Sequence, residues 1–140
     1  MGHPPMGGWA EYAAVPTHSI AVLPDGLTTA QAAALPLAGT TALRLLRTAG
    51  AVTGSRLLLT GASGGVGHYL TEPSAAAGAE VTAVTATAER GARLRELGAA
   101  GIVHAVDEAD GPFDVVLERC PAATGTPFTA PCGRCSQAPR

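Results

Sequence analysis

The sequence predicts an α/β protein, a parallel sheet of about four strands with helices between them. Three features carry that expectation. Short runs rich in Val, Leu and Ile alternate with longer stretches of helical periodicity. A glycine cluster stands where the first of those runs hands over to a helix. Gly50 and Gly98 stand where two of the helical stretches stop.

Taken in order, Trp9–Val15 and Ser19–Leu23 read as short extended segments around a Pro-Thr-His turn. Such strands need partners, and nothing upstream supplies any. Pro24-Asp25-Gly26 is a turn signal. Thr28 with Gln31 then forms a capping box ahead of the apolar run Ala32–Leu35. Pro36 is expected to break or kink that helix. A second helix is expected from Gly39 to about Thr48, with Ala42, Leu43 and Leu46 on one face and Arg44 and Arg47 opposite. Arg56–Thr60 is a short apolar run, as expected of a buried parallel strand. Glu80–Thr85, Ile102–Val106 and Phe113–Leu117 read as three more, and Glu89–Leu97 as a helix. The expected order across the sheet is third, second, first, fourth, which leaves the fourth strand at an edge. Beyond Glu118 the character changes. Arg119–Arg140 holds all three cysteines (Cys120, Cys132 and Cys135) and no periodicity, and it reads as irregular.

Composition narrows the function. Hydrophobic residues make up 46% and charged residues 14% of 140 positions, a globular balance with room for one modest domain. A net charge of −2 and few aromatics argue against a nucleic-acid partner. All nine basic side chains are arginines. Without lysine there is neither a Walker-type phosphate loop nor a lysine Schiff base. No apolar run reaches membrane-spanning length and no signal peptide is visible, so a cytoplasmic location is expected. Cys132-Gly133-Arg134-Cys135 has the spacing of half a zinc site but lacks a second ligand pair, and no metal is expected. His68 follows the last glycine of the cluster, and a helix-surface position is expected for it; His18 and His104 have no visible partner for acid–base work. No catalytic residue is assigned.

The chemistry concentrates in Thr60-Gly61-Ala62-Ser63-Gly64-Gly65-Val66-Gly67, set between strand and helix. Gly64 lets a pyrophosphate approach the backbone, and Gly67 lets the helix pack on the strand. The amides of Gly64, Gly65, Val66 and Gly67, with the positive end of the helix, then hold phosphate oxygens. Ala62 stands in the first glycine place of the Gly-x-Gly-x-x-Gly pattern. NAD-preferring sites carry a carboxylate at the end of the second strand; here that place is Thr85-Ala86-Thr87, with Arg90 close enough to pair with a 2′-phosphate. NADPH is therefore favoured over NADH. The turn also fits short-chain dehydrogenases, but those use a Tyr-x-x-x-Lys pair that a chain without lysine cannot form.

These residues together resemble the quinone oxidoreductase-like branch of the medium-chain dehydrogenase/reductase superfamily, which includes zinc-binding alcohol dehydrogenase relatives. Gly7-Gly8-Trp9-Ala10-Glu11-Tyr12 and Val22-Leu23-Pro24-Asp25-Gly26-Leu27 are similar to the end of that family's GroES-like lobe. Ala33–Ala42 resembles the helix entering the cofactor cleft, and there Thr41 matches the threonine near the nicotinamide. Ala62–Gly67 matches the branch's phosphate turn, and Leu94-Arg95-Glu96-Leu97-Gly98-Ala99 the ending of the following helix. The resemblance implies a partial Rossmann dinucleotide-binding domain over 28–118, a GroES-like remnant over 1–27 and an irregular tail over 119–140. It implies NADPH, no zinc, hydride transfer to a quinone or α,β-unsaturated carbonyl, and homodimers among complete relatives. Most of the catalytic lobe and its substrate pocket is missing, so this chain is expected to be truncated at both ends and inactive by itself. The alternatives are a non-catalytic NADPH-binding module and a translated fragment that does not fold. Pro73 departs from the family by falling inside the helix after the glycine turn, at about 3 kcal/mol and the loss of the bond to the Tyr69 carbonyl. The tail departs too, and a shift of reading frame is its expected origin; translating the encoding DNA in its other frames would then restore a Gly-Gly pair and strand–helix alternation.

Overall fold

The computed structural model describes residues 10–118. The cysteine-bearing tail, Trp9 and the expected features built on them lie outside those residues. Two units, Met1–Ala33 and Ala34–Arg140, are distinguished along the chain.

In the first unit, the described residues hold a single 3₁₀ turn, Thr17–Ser19, closed by the Ser19 N–H on the Pro16 carbonyl at 2.9 Å. Neither expected extended run forms a strand in its described residues. A strand without a ladder leaves its backbone groups to water, and Tyr12 and Val22 stand 91% and 96% exposed. The capping box does form. The Thr28 N–H donates to Gln31 Oε1 at 2.9 Å, and the Gln31 N–H returns to Thr28 Oγ1 at 3.3 Å.

Helix α1 then runs unbroken over Thr29–Ala49, where two helices separated at Pro36 were expected. Proline deletes one amide and crowds the carbonyl four residues back, which is a local cost. Against it stands a packed stripe at helical spacing. Ala42 and Ala49 are buried, and Leu45 and Leu46 pack against the core. The Thr40 hydroxyl donates to the Pro36 carbonyl just past the ring. Leu43, expected on the inner face, is 50% exposed, so the apolar stripe lies one residue round from the sequence reading.

The sheet has the expected order, β3-β2-β1-β4, all parallel. Its strands are β1 Arg56–Leu59, β2 Glu80–Val84, β3 Gly101–Val103 and β4 Val115–Leu117. Leu57, Leu58 and Leu59 are all buried, as the continuous apolar run implies for a sheet covered on both faces. The core gathers Leu57, Leu59, Val81, Ala83, Val115 and Leu117 of the sheet with Leu70 and Leu94 of the helices.

Helix α2 spans Gly65–Ala76 and passes through Pro73. Its buried polar residues are satisfied within the helix. Thr71 Oγ1 donates to the Gly67 carbonyl at 2.9 Å and Ser74 Oγ to the Leu70 carbonyl at 2.6 Å. Helix α3 spans Ala88–Glu96. Its end is a Schellman motif, with the Ala99 N–H on the Leu94 carbonyl and the Gly98 N–H on that of Arg95. Gly98 takes φ +96° there, which a side chain resists.

Strand β4 is shorter than expected because Phe113 and Asp114 have other duties. Asp114 exchanges two bonds with the Arg56 backbone, each 2.9 Å. The Arg56 guanidinium donates to the carbonyls of Asp110 and Pro112 and lies 5.3 Å from the centre of the Phe113 ring.

Candidate functional site

Parallel strands put all their carboxyl ends along one edge of the sheet, and ligands of open α/β sheets bind there, where the strand order reverses. In this sheet the reversal lies between β1 and β4, neighbours that are first and last in sequence. The glycine turn sits over it. The Thr60 N–H donates to the Leu117 carbonyl of β4 at 3.0 Å, and the Ala62 N–H to the Val84 carbonyl of β2 at 3.2 Å. The turn is thus sewn to both neighbours of β1.

Gly64 is the N-cap of α2, in extended conformation, and no side chain caps the helix. The first amides of a helix have no acceptor within it, so the N–H groups of Gly65, Val66 and Gly67 face out of the helix start. Gly67 is the position where glycine is compulsory. A Cβ there would fall on the carbonyl group of Ala62, which is itself fully buried. That contact also accounts for Ala62 in the first glycine place, since its own methyl is accommodated while its backbone receives Gly67. A Cβ on Gly65 would meet only Ala38 of α1, at 4.0 Å. Thr41 lies one turn further along α1, with its hydroxyl donating to the Leu37 carbonyl at 2.7 Å.

His68 is tied to the N-cap residue of its own helix. Its Nδ1 lies 2.8 Å from the Gly64 carbonyl, which also accepts the His68 N–H at 3.1 Å. A carbonyl only accepts, so Nδ1 bears the proton in that contact.

The second strand ends at the other group of expected site residues. Thr85 is only 3% exposed, and its hydroxyl is buried without a hydrogen-bond partner. Thr87 is exposed and caps α3, accepting the Arg90 N–H at 3.5 Å. Arg90 is exposed, and no carboxylate among the described residues pairs with it; the ion pair there joins Arg93 to Glu96. The structure therefore sets Thr87 and Arg90 at one helix start and Gly64–Gly67 at another, both on the same sheet edge. Thr85 lies beneath, not on, that surface.

One contact at this edge is not foreseen by the sequence reading. His104 Nδ1 lies 2.9 Å from the Thr85 carbonyl, and the His104 N–H donates to Glu108 Oε2 at 2.9 Å. Nothing in the spacing announced this, because it depends on the register of β3 against β2. Among the described residues, no three His, Cys, Asp or Glu side chains are grouped to hold a metal, and no helix is long and apolar enough to cross a membrane.

No protein-family model matches the chain. Individual proteins do. The mitochondrial NAD(P)H oxidoreductase RTN4IP1 of Bos taurus is 34% identical over 132 residues, covering 86% of this chain and 33% of its own length. A chloroplast envelope quinone oxidoreductase homolog of Arabidopsis thaliana is 39% identical over 137 residues, covering 88% of this chain and 40% of its own. Among solved structures, the quinone oxidoreductase of Thermus thermophilus, determined also in complex with NADPH, superposes with a TM-score of 0.73. It is 36% identical, over 81% of this chain and 40% of that one. The chain thus spans well under half the length of these relatives, and two of them are named for organelles. By sequence and by fold together, this chain groups with the quinone oxidoreductases and their kin in the medium-chain dehydrogenase/reductase superfamily, with a partial Rossmann-type sheet as its recognisable core.

Proposed function

We propose that this chain is the NADPH-binding part of an oxidoreductase acting on a quinone or an α,β-unsaturated carbonyl, and that residues 28–118 form its dinucleotide-binding domain. The observation that carries the proposal is the uncapped start of α2 at the point of strand-order reversal, with Gly67 held against Ala62. Three outward amides and a positive helix end suit a diphosphate, and a glycine N-cap adds no side chain to compete for them.

In this reading the amides of Gly65, Val66 and Gly67 take the diphosphate, while Gly64, whose own N–H donates to the Gly61 carbonyl at 3.0 Å, leaves the approach free of a side chain. Thr87 and Arg90 take the adenosine end, with the unpaired guanidinium on the 2′-phosphate, and Thr85 acts through its backbone. Thr41 borders the nicotinamide end. The cofactor supplies a hydride from the nicotinamide C4. The described residues contribute binding and orientation, and none of them is offered as an acid or base. The chain by itself binds NADPH without turning it over.

The test is a titration of the folded chain with NADPH and with NADH, read by nicotinamide fluorescence and by the thermal midpoint. Saturable binding that favours NADPH is expected. Adding a quinone should leave the nicotinamide absorbance unchanged. A folded chain indifferent to both dinucleotides at about 1 mM, the weak end of ordinary affinities, sinks the proposal.

A further inference from the structure

The ladder between β2 and β3 ends in an unusual exchange. Ala83 is paired with Ile102 and Val84 with Val103. In a parallel ladder the N–H and carbonyl of one residue bond to the two residues flanking its partner. Thr85 obeys at its amide, donating to the Val103 carbonyl at 3.0 Å. The next bond of the series would run from the Ala105 N–H to the Thr85 carbonyl. The His104 imidazole makes it instead, with Nδ1 at 2.9 Å. The backbone of His104 meanwhile donates to Glu108 at the end of the short 3₁₀ turn Val106–Glu108. The main chain leaves the sheet at His104 while the His104 side chain keeps hold of β2.

We infer that His104 is a positioning residue for the adenosine end of the cofactor, acting through the Thr85 carbonyl on the segment that delivers Thr87 and Arg90. This rests on the NADPH reading above. Thr85 makes no side-chain hydrogen bond to that segment, since its buried hydroxyl has no partner. Ala86, Thr87 and Arg90 are exposed, and the Thr87 cap on the Arg90 amide is a long bond of 3.5 Å. Beyond it α3 is held by the burial of Gly91 and Leu94; ahead of α3 the segment is tied to the sheet by the two backbone bonds of Thr85, and one of them belongs to His104. Arg90 has no carboxylate among the described residues to orient it, so its placement depends on the backbone that carries it.

Side-chain geometry supplies the test. An asparagine amide places a donor near the position of Nδ1, whereas a glutamine amide places one near Nε2. NADPH and NADH affinities would be measured on the full chain by nicotinamide fluorescence, for the parent and for His104→Ala, His104→Asn and His104→Gln, with folding checked by melting. Loss of one such bond should lower the NADPH-over-NADH ratio roughly three- to tenfold in His104→Ala. His104→Asn should keep the ratio within about twofold. His104→Gln should lower it as well, and stands in for the alanine variant if that one does not fold. On an Arg90→Ala background, His104→Ala should change the ratio no further, since both act through one contact. A ratio unmoved in the alanine and glutamine variants, or lowered equally in His104→Asn, overturns the inference. A folded parent that binds neither dinucleotide defeats instead the cofactor reading beneath it.

Discussion

Gly67 and Arg90 represent two ways in which one residue shapes this site. Gly67 acts by having no side chain, because its α-carbon faces the Ala62 carbonyl. Gly67→Ala must push the start of α2 away from the glycine turn. Overpacking of this kind costs about 1–3 kcal/mol, and against backbone the upper end applies. A lowered thermal midpoint together with lost NADPH binding is expected, and a variant matching the parent in both would show that the contact is slack. Arg90 acts by charge. Arg90→Ala should weaken NADPH roughly ten- to hundredfold, as loss of a charged hydrogen bond does, and leave NADH almost unchanged. Raising the salt concentration should narrow the gap between the two cofactors in the parent, because the contact is exposed. The role of Gly67 was legible in the sequence, since a glycine after a strand and before a helix points to close packing. That of His104 was not. Its bond to Thr85 exists only once two segments 19 residues apart have been brought into register.

Among the elements, the two helices that contain proline are the most instructive. The sequence showed both prolines and their local cost, but not how much tertiary packing would override it. Helix α1 continues past Pro36 because its later turns bury Ala42 and Ala49. Helix α2 continues past Pro73 and stops three residues later at Ala76, where Ala77 caps it by donating to the Pro73 carbonyl at 2.9 Å. Pro73→Ala should restore the amide facing the Tyr69 carbonyl and stabilise the protein by about 1–3 kcal/mol, the upper bound being the full proline penalty. Chemical denaturation gives the measurement, and a destabilised variant would mean that the ring fills space the helix needs. Strands were more legible than helices. Every expected sheet strand from Arg56 onward formed, because runs such as Glu-Val-Thr-Ala-Val have no helical stripe to compete with. Among the described residues, the extended runs before Thr28 did not form strands, because alternation describes a side that wants covering and cannot supply the neighbouring strand.

At the scale of the whole molecule, the alternation of strands and helices announced a parallel sheet, and its order β3-β2-β1-β4 is the one expected of the family the chain resembles. The position of the site followed from it, since the glycine turn necessarily falls at the reversal between β1 and β4. The strands differ in how firmly they are held. β1 lies between two neighbours, while β4 meets the sheet on one side through three paired residues. The residues leading into it are held besides by the Asp114 bonds to the Arg56 backbone and by the clasp of the Arg56 side chain on Asp110, Pro112 and Phe113, which bridge more than fifty positions of chain. Opening of the native state is graded by such differences. In hydrogen exchange, Val115–Leu117 should therefore lose protection as one block before the amides shared by β1 and β2, and Arg56→Met should hasten that block selectively. If the whole sheet exchanges together, the clasp adds nothing of its own. Where Val115–Leu117 opens first, the arginine at the far rim from the phosphate turn acts as a timer, setting how often the strand beside that turn lets go and how long a protease has to find it.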